Sequence, residues 1–202
     1  KTIEMLKEEG VKNIRIAFTV ATVNVEHLKL TYDLSRKLGV QFTCAYAQSS
    51  DFYFGAKQNY ENPDPAKLRE GFGYIIKQEL RSLSPKRWAR AYFAYGLYKL
   101  AAKSEQALQS RAGSDFFFLD PTGIVYPSVV HYYNMGKLQD VKSDFNELWN
   151  GEKAIIARQK VQKDPKKYWM ICTARTAILK NPMKLAGWLG REVFARDPLA
   201  SV

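Results

Sequence analysis

The stretch that decides the fold is residues 110–138, SRAGSDFFFLDPTGIVYPSVVHYYNMGKL. Within it, residues 120–123 (DPTG) have the composition of a tight turn. Asp bonds the backbone of its own turn, Pro presets φ at the second position, and Gly closes the turn. The flanking residues 116–119 and 124–126 are aromatic and β-branched, which is typical of strands. The stretch therefore predicts a β-hairpin of which at least one face is covered.

The composition is that of an ordinary globular protein with an excess of positive charge. The 202 residues are 46% apolar and 25% charged, and the formal net charge is +11. This length suits one domain, or one domain with a small appendage. The charge fits either a soluble protein with many surface lysines, or a protein with a polyanionic partner or an anionic membrane surface. Because the charge is spread along the chain, it argues against a dedicated nucleic-acid module.

Two cysteines, Cys44 and Cys172, limit the covalent and metal chemistry of the chain. A disulfide framework and a self-sufficient zinc site both need more ligands than these. No apolar run reaches the roughly 18 residues of a transmembrane helix, and the first residues lack the pattern of a signal peptide, so we expect a cytoplasmic protein. The chain begins at Lys1 with what reads as the end of a helix, so we expect that the N-terminal segment of a longer protein is missing and is its natural partner.

The first half of the chain predicts a βαβ unit. Residues 13–20 alternate like a strand, residues 25–38 have helical spacing and stop at a glycine, and residues 40–46 form a second strand. Strands joined in this way run parallel. Ligands of such sheets bind at the carboxyl ends of the strands, here residues 19–24 and 45–51.

Two residues of this unit each have two interpretations. Asn24 is either the N-cap of the following helix, which is favoured, or a ligand contact. Cys44 lies in an apolar strand and is either core filling, which is favoured, or a nucleophile.

The remaining helices are predicted from their caps and apolar spacing. Asp64 and Ser84 each precede a proline at a helix start. The helix from residue 86 to about 108 is so aromatic that it indicates a core or a helix seam rather than a stacking surface for bases. The last helix, residues 183–196, is basic and amphipathic, which indicates docking onto its own domain or contact with a membrane surface. We favour docking.

A search for independent catalytic motifs finds none. There is no P-loop, GxSxG or HExxH pattern, and Gly71-Phe72-Gly73 lacks the context of a phosphate loop. His131 lies just past the hairpin, but no Cys, His, Asp or Glu stands at metal-ligand spacing from it. A stand-alone enzyme that uses His131 and a carboxylate therefore has no support from spacing.

Two parts of the chain resemble a known family. Residues 14–47, IRIAFTVATVNVEHLKLTYDLSRKLGVQFTCAYA, resemble a late βαβ unit of the partial (β/α)6 barrel of radical S-adenosylmethionine (radical SAM) enzymes. The later segments SRAGSDFFFLDPTGIVYPSVV, NMGKL, FNELWNGEKAIIARQKV and YWMICTART are similar, in that order, to the auxiliary iron-sulfur region of that superfamily, of the SPASM or twitch type. The resemblance covers residues 13–176.

The chain departs from the family at the cluster ligands. Relatives place cysteines before "AG", after "YP" and ahead of the Trp, where this chain has Ser110, Ser128 and Tyr168; Cys172 alone remains. Iron-sulfur clusters are held by thiolates, usually four, so one thiol does not hold an auxiliary cluster. The catalytic CxxxCxxC loop of the family is absent from the chain as well.

The resemblance implies an α/β fold in two domains. Residues 1–109 would be the C-terminal part of a partial TIM-like (β/α) barrel with a helical insertion. Residues 110–202 would be a degenerate SPASM/twitch-like region, a β-hairpin followed by a helical C-terminal extension.

The resemblance also implies cofactors and a site. The intact parent would bind S-adenosylmethionine and a [4Fe-4S] cluster, and this chain alone would hold neither. Thr22, Asn24, Gln48 and Ser49 would contribute cofactor contacts, and Cys172 would be the residual position of an auxiliary-cluster ligand.

The function implied is that of the C-terminal portion of a radical SAM iron-sulfur enzyme, oxidoreductase-like or group-modifying, acting on a small molecule or a peptide. In isolation this portion would be inactive. The alternative is a non-catalytic binding or scaffold module that engages a polyanion or an anionic membrane through its basic surface.

Overall fold

The chain folds into two compact units. The structure is a computed structural model that describes residues 1–47, 62–142, 144–164, 167 and 169–200. Unit 1 consists of residues 1–107 and 181–202, and unit 2 consists of residues 108–180. The sequence predicted that residues 110–202 belong together, whereas in the structure the last helix groups with unit 1.

The described part of unit 1 contains α1 (Thr2–Glu8), β1 (Arg15–Val20), a 3-10 turn (Val25–His27), α2 (Leu28–Lys37), β2 (Gln41–Tyr46), α3 (Pro65–Leu80), α4 (Pro85–Lys103) and α8 (Pro182–Glu192). The described part of unit 2 contains β3 (Phe118–Leu119), β4 (Ile124–Tyr126), β5 (Gly136–Lys137), a 3-10 turn (Leu138–Val141), α5 (Phe145–Asn150), α6 (Glu152–Lys163) and α7 (Ile171–Leu179).

Strands β1 and β2 pair in parallel, as the sequence predicted. The register runs from Arg15 opposite Gln41 to Val20 opposite Tyr46. The two faces of β1 differ, because burial alternates along the strand and only Val20 is fully buried. Phe42 of β2 packs edge-on against Tyr32 of α2, with ring centroids 5.4 Å apart, so helix α2 covers that face of the sheet.

Helices α3 and α4 begin with prolines, but their caps differ. Asp64 accepts a hydrogen bond from the Lys67 backbone N–H at 2.9 Å, which confirms the predicted cap of α3. Ser84 occupies the corresponding position of α4, yet its side chain makes no capping hydrogen bond. The expectation that both helices are capped in the same way was therefore wrong, and the fixed φ of Pro85 is what remains of the predicted start signal.

Gly71 of α3 allows close packing on α2. A Cβ at Gly71 would lie 2.9 Å from Cδ2 and 3.4 Å from Cβ of Leu28, so a larger residue would require the Leu28 side chain to shift. Phe72 is fully buried and lies against Tyr98 of α4. The buried aromatic residues of α4 thus form a helix seam, as the sequence favoured.

A buried carboxylate joins three helices of unit 1. Glu79 of α3 is 2% exposed. It accepts a hydrogen bond from the Tyr32 hydroxyl of α2 at 2.6 Å and another from Nε of Arg87 in α4 at 2.9 Å. Burial, together with this carboxylate, raises the pKa of the Tyr32 phenol. The paired charges explain how an acidic residue is tolerated in the interior.

Helix α8 docks onto α4 through a buried tryptophan. Trp188 is 1% exposed, and its ring lies 5.2 Å from the rings of both Tyr92 and Tyr95. The favoured interpretation of the last helix, docking onto its own domain, therefore agrees with the structure. The helix spans Pro182–Glu192 rather than the predicted residues 183–196.

Unit 2 is built around the predicted hairpin, which gains a third strand. β3 and β4 are antiparallel, with Phe118 opposite Tyr126. β5 pairs with the other edge of β4, with Val125 opposite Gly136. This sheet and helices α5 and α6 share one core, made of Val125, Met135, Leu148, Ala154 and Ala157.

Helix boundaries in unit 2 differ modestly from the prediction. Asp144 caps α5 by accepting from the Asn146 N–H at 2.9 Å, and the predicted cap, Ser143, lies outside the described residues. Helix α7 begins at Ile171, three residues later than predicted.

The α/β class is confirmed, and the barrel is not. The described strands form one parallel pair and one three-stranded antiparallel sheet. They do not close into a barrel, so the partial TIM-like barrel stays a prediction. Among the described helices, none has the length and apolar character needed to cross a membrane.

Candidate functional site in the hairpin unit

The turn of the hairpin is held by one carboxylate. Oδ1 of Asp120 accepts from the Thr122 N–H, the Thr122 hydroxyl and the Ile124 N–H at 2.8, 2.8 and 2.9 Å. Burial opposes the charged form, but the bonds from Ile124 and Thr122 outweigh it and lower the pKa of Asp120. Gly123 has φ +86°, and the Gln139 side chain fills the space of a Cβ there. The turn therefore needs both the aspartate and the glycine.

Ser128, at the position after "YP", is buried and hydrogen-bonded. It is 2% exposed, and its Oγ lies 2.7 Å from Nδ1 of His131, which is 1% exposed. The Val130 N–H donates to the same Oγ at 3.2 Å, and the His131 N–H donates to the Ser128 carbonyl at 3.3 Å. The hydroxyl and the imidazole thus close a tight loop directly after β4.

A serine beside an imidazole is also the arrangement that activates a nucleophile. Such a nucleophile must reach its substrate, and both Ser128 and His131 are buried. The pair is therefore suited to holding the loop, and the structure supports no catalytic role for His131.

Ser110, at the position before "AG", lies on a neighbouring segment. Its hydroxyl accepts from the Ala112 N–H at 3.3 Å. The Gly113 N–H donates to the Pro127 carbonyl at 3.1 Å, and a Cβ on Gly113 would lie 3.2 Å from Cβ of Pro127. The fold thus brings the chain around Ser110 next to the chain around Ser128, although the two are separated by the whole hairpin.

Two charged side chains fix these segments to the helices of unit 2. Arg158 of α6 donates to the carbonyls of Gly113 at 2.6 Å and Trp149 at 2.5 Å, and its guanidinium lies 4.6 Å from the centre of the Trp149 ring. Burial lowers the pKa of Arg158. Arg158 acts as a clamp, because its guanidinium binds two carbonyls and one ring face at the same time.

Asp115 provides the second link. Its carboxylate accepts hydrogen bonds from Nε and Nη2 of Arg111, at 2.9 and 2.8 Å, and lies 2.8 Å from Nζ of Lys180 at the end of α7. The hydrogen bonds from Arg111 lead in lowering the pKa of Asp115 to about 2. The carboxylate therefore stays charged over the whole physiological pH range.

The donor set of this unit does not fit an iron-sulfur cluster. Cys172 is exposed in the first turn of α7. The Ser128 hydroxyl is already engaged by His131, and a hydroxyl is a poor cluster ligand. Tyr168 lies outside the described residues. Among the residues that the structure describes, no three His, Cys, Asp or Glu side chains are grouped so that they could hold a metal ion. The assignment of Cys172 as a residual ligand position stays a prediction.

The residues predicted to contact a cofactor belong to unit 1. Asn24 uses its side chain within its own loop: Oδ1 accepts from the Ala21 N–H and Nδ2 donates to the Thr19 carbonyl, both at 2.9 Å. Asn24 occupies the N-cap position of the 3-10 turn, as the favoured interpretation placed it, but its side chain makes no capping hydrogen bond there. Thr22 is exposed in the same loop. Gln48 and Ser49 lie outside the described residues.

Cys44 is core filling. The side chain is buried in β2, and burial raises the pKa of its thiol to about 12. A thiol that stays protonated is neither a nucleophile nor a metal ligand at neutral pH.

Sequence reasoning missed Arg158 and the pair of Tyr133 and Asp164. The Tyr133 hydroxyl donates a hydrogen bond to Asp164 at 2.6 Å, and the two residues are 31 positions apart in the sequence. Arg158 and Gly113, which are also hydrogen-bonded, are 45 positions apart. No local pattern marks either partner.

One solved structure is similar to the chain at a low level. No family model matches the chain, and no curated protein matches it. A solved structure of a histidine-tagged protein, described as "anSMEcpe with bound AdoMet", is similar, with 13% sequence identity and a TM-score of 0.45 over 93% of this chain. The chain spans 57% of the length of that structure. A likeness of this degree assigns neither a family nor a function to the chain.

Proposed function

We propose that this chain is the C-terminal portion of a radical SAM enzyme, oxidoreductase-like or group-modifying, whose auxiliary region has lost its cluster ligands. The observation that carries the proposal is the common core of unit 2. Val125 of the DPTGIVYP segment, Met135 of NMGKL, Leu148 of FNELW and two alanines of α6 pack together. Three of the four segments that resemble the family thus contribute, in order, to one core, which is what a shared motif requires.

The parallel pair in unit 1 gives further support. All-parallel sheets are almost always covered on both faces and have more than two strands. Ala17 and Thr19 of β1 nevertheless lie on the same face of the sheet, and both are exposed. The proposal explains this, because additional β/α units of the same protein would pair with β1 and cover that face.

In the intact enzyme the catalytic cluster, when bound, would supply the electron that cleaves S-adenosylmethionine. This chain lacks the CxxxCxxC loop, so its own part would be to shape the site. Thr22, Gln48 and Ser49, at the carboxyl ends of the strands, would orient the cofactor or the substrate. Asn24 would hold the loop, since both ends of its amide are bonded there.

The experiment is to restore the proposed auxiliary-cluster ligands. The variant S110C/S128C/Y168C would have four cysteines at the motif positions, with Cys172 as the fourth. After anaerobic incubation with ferrous iron and sulfide, we expect about one [4Fe-4S] cluster per chain, read from bound iron, charge-transfer absorbance and the EPR signal of the reduced form. The wild-type chain should bind no stoichiometric cluster.

A matched control carries three cysteines at exposed positions, S104C/S114C/Q159C. It should gain no cluster, and removing the fourth ligand with C172A should abolish the cluster of the restored variant. A folded restored variant that takes up no more iron than this control would contradict the motif assignment. A wild-type chain with a full cluster would contradict the loss of ligands.

A further inference from the structure

Helix α8 has an outer face that unit 1 leaves uncovered. Its inner face is docked through Trp188, but Met183 in the first turn is 82% exposed and Phe194, just after the last turn, is 89% exposed. Only Leu83 among the exposed large apolar side chains of the described chain exceeds these values. Two bulky apolar groups in water on one short segment mark a contact surface.

The surface between these two side chains is smooth. Ala186, Gly187 and Gly190 are exposed, and a Cβ on either glycine would meet no atom within 4 Å. Between Met183 and Phe194 these three residues therefore present only backbone and one methyl group, with no large side chain to fill a pocket of a protein partner. The face suits a partner that is itself deformable and needs no shape complementarity.

The exposed charge of this segment has one sign. Lys184, Arg191 and Arg196 are exposed. Of the two acidic residues, Glu192 is 4% exposed, and the half-exposed Asp197 is ion-paired with Arg69, so neither presents an unpaired negative charge on this face. A second copy of the chain would bring the same cations into apposition, so charge disfavours self-association and favours an anionic surface.

We propose that the outer face of α8 binds an anionic lipid surface. Met183 and Phe194 enter the boundary between headgroups and acyl chains, while Lys184 and Arg191 contact the lipid phosphates. The apolar groups are already exposed, so α8 keeps its docking on α4 and brings unit 1 to the membrane without a conformational change. This role is independent of the proposed radical SAM function.

The test is co-sedimentation of the whole chain with lipid vesicles. We expect binding to phosphatidylcholine vesicles that contain roughly one phosphatidylserine in four, none to phosphatidylcholine alone, and weaker binding at ~0.15 M salt than at low salt. The variant M183S/F194S should bind these vesicles with an affinity reduced by roughly tenfold or more. The variant K184Q/R191Q should lose about fivefold per charge removed.

The matched control is L30S. Leu30 of α2 is 65% exposed but lies outside the proposed surface, so binding should not change. Met183 and Phe194 make few contacts within the fold, so circular dichroism and the melting temperature of M183S/F194S should match those of the wild type, which separates lost binding from lost folding.

Three outcomes would overturn the proposal. The first is a wild-type chain that does not bind the anionic vesicles even at low salt. The second is a loss of binding in K184Q/R191Q with none in M183S/F194S, since that pattern belongs to a plain polyanion contact. The third is a dimer in sedimentation equilibrium that M183S/F194S converts to a monomer, because the face would then be a self-interface.

Discussion

The two units are stabilised by different means. The core of unit 1 contains large aromatic side chains, with Phe72 fully buried and Trp188 at 1% exposure. In unit 2, the cluster that the sheet shares with α5 and α6 contains two alanines among its five buried members. In their place unit 2 has polar links in which single side chains join distant segments, as Arg158 does. Unit 1 has a polar link of its own, since Glu79 bonds Tyr32 and Arg87. The difference is therefore one of balance: buried rings contribute more to unit 1, and side-chain bonds between distant segments contribute more to unit 2.

The largest effect is expected in the packed unit. The substitution F72A removes a fully buried ring at the seam of α3 and α4. It should lower the free energy of unfolding of unit 1 by about 3–5 kcal/mol, since the side chain leaves a cavity. Urea unfolding followed by peptide-resolved hydrogen exchange would measure this for unit 1 by itself. The control substitution L30A, at an exposed position, should lower the free energy of unfolding by less than about 0.5 kcal/mol. A loss below about 1 kcal/mol for F72A would contradict packing as the main source of stability in unit 1.

The next effect concerns the Arg158 clamp. R158A removes two hydrogen bonds from a charged donor and the contact with Trp149, so unit 2 should lose about 2–3 kcal/mol. R158K should recover only part of this, because an ammonium does not reproduce the planar fork. R175A, at an exposed position of α7, is the matched control and should be nearly neutral. If R158A and R175A behave alike in the same exchange experiment, unit 2 is not held by its polar links.

A smaller loss is expected at the loop after β4. S128A removes the hydroxyl that His131 and the Val130 N–H both contact. The expected cost is about 1–2 kcal/mol, because buried polar groups lose their partner. S114A, at an exposed serine, should change stability by less than about 0.5 kcal/mol. A stabilised S128A variant would show that the loop prefers an apolar residue to the hydrogen-bonded pair.

The smallest effect is a pH dependence of unit 2. The pKa of Asp115 is about 2 in the folded chain, below its ordinary value, so its contribution is complete above about pH 5 and is lost as the pH falls from about 4 to 2. After solvent screening we expect about 1 kcal/mol from this group. Unfolding curves at several pH values should show the loss in the wild type and a flatter profile in D115N. Parallel profiles for the two proteins would exclude Asp115 as an electrostatic link.

The features that sequence predicted well are those decided within a few residues. Asp120 bonds atoms two and four positions on, and Asp64 bonds an N–H three positions on, so both follow from local turn and cap chemistry. The parallel pairing of β1 and β2 also followed, because a strand, a helix and a strand with short loops leave little choice of topology.

The features that sequence missed depend on the packed structure. β5 is only two residues long and owes its pairing to the edge of β4, so neither residue has a strand pattern of its own. Ser84 has the residue type of a cap without making the bond. The burial of Ser128 with His131 could not be derived from spacing, since the same residues on an open loop would face water.

The two cysteines differ in accessibility in a way that is useful for labelling. Cys44 is sealed in β2 with a neutral thiol, while Cys172 stands exposed at the start of α7. A thiol-directed fluorophore or spin label will therefore attach to the native chain at one position in unit 2. Unit 1 will stay unmodified, and the wild-type protein can report on the hairpin unit without any engineered residue.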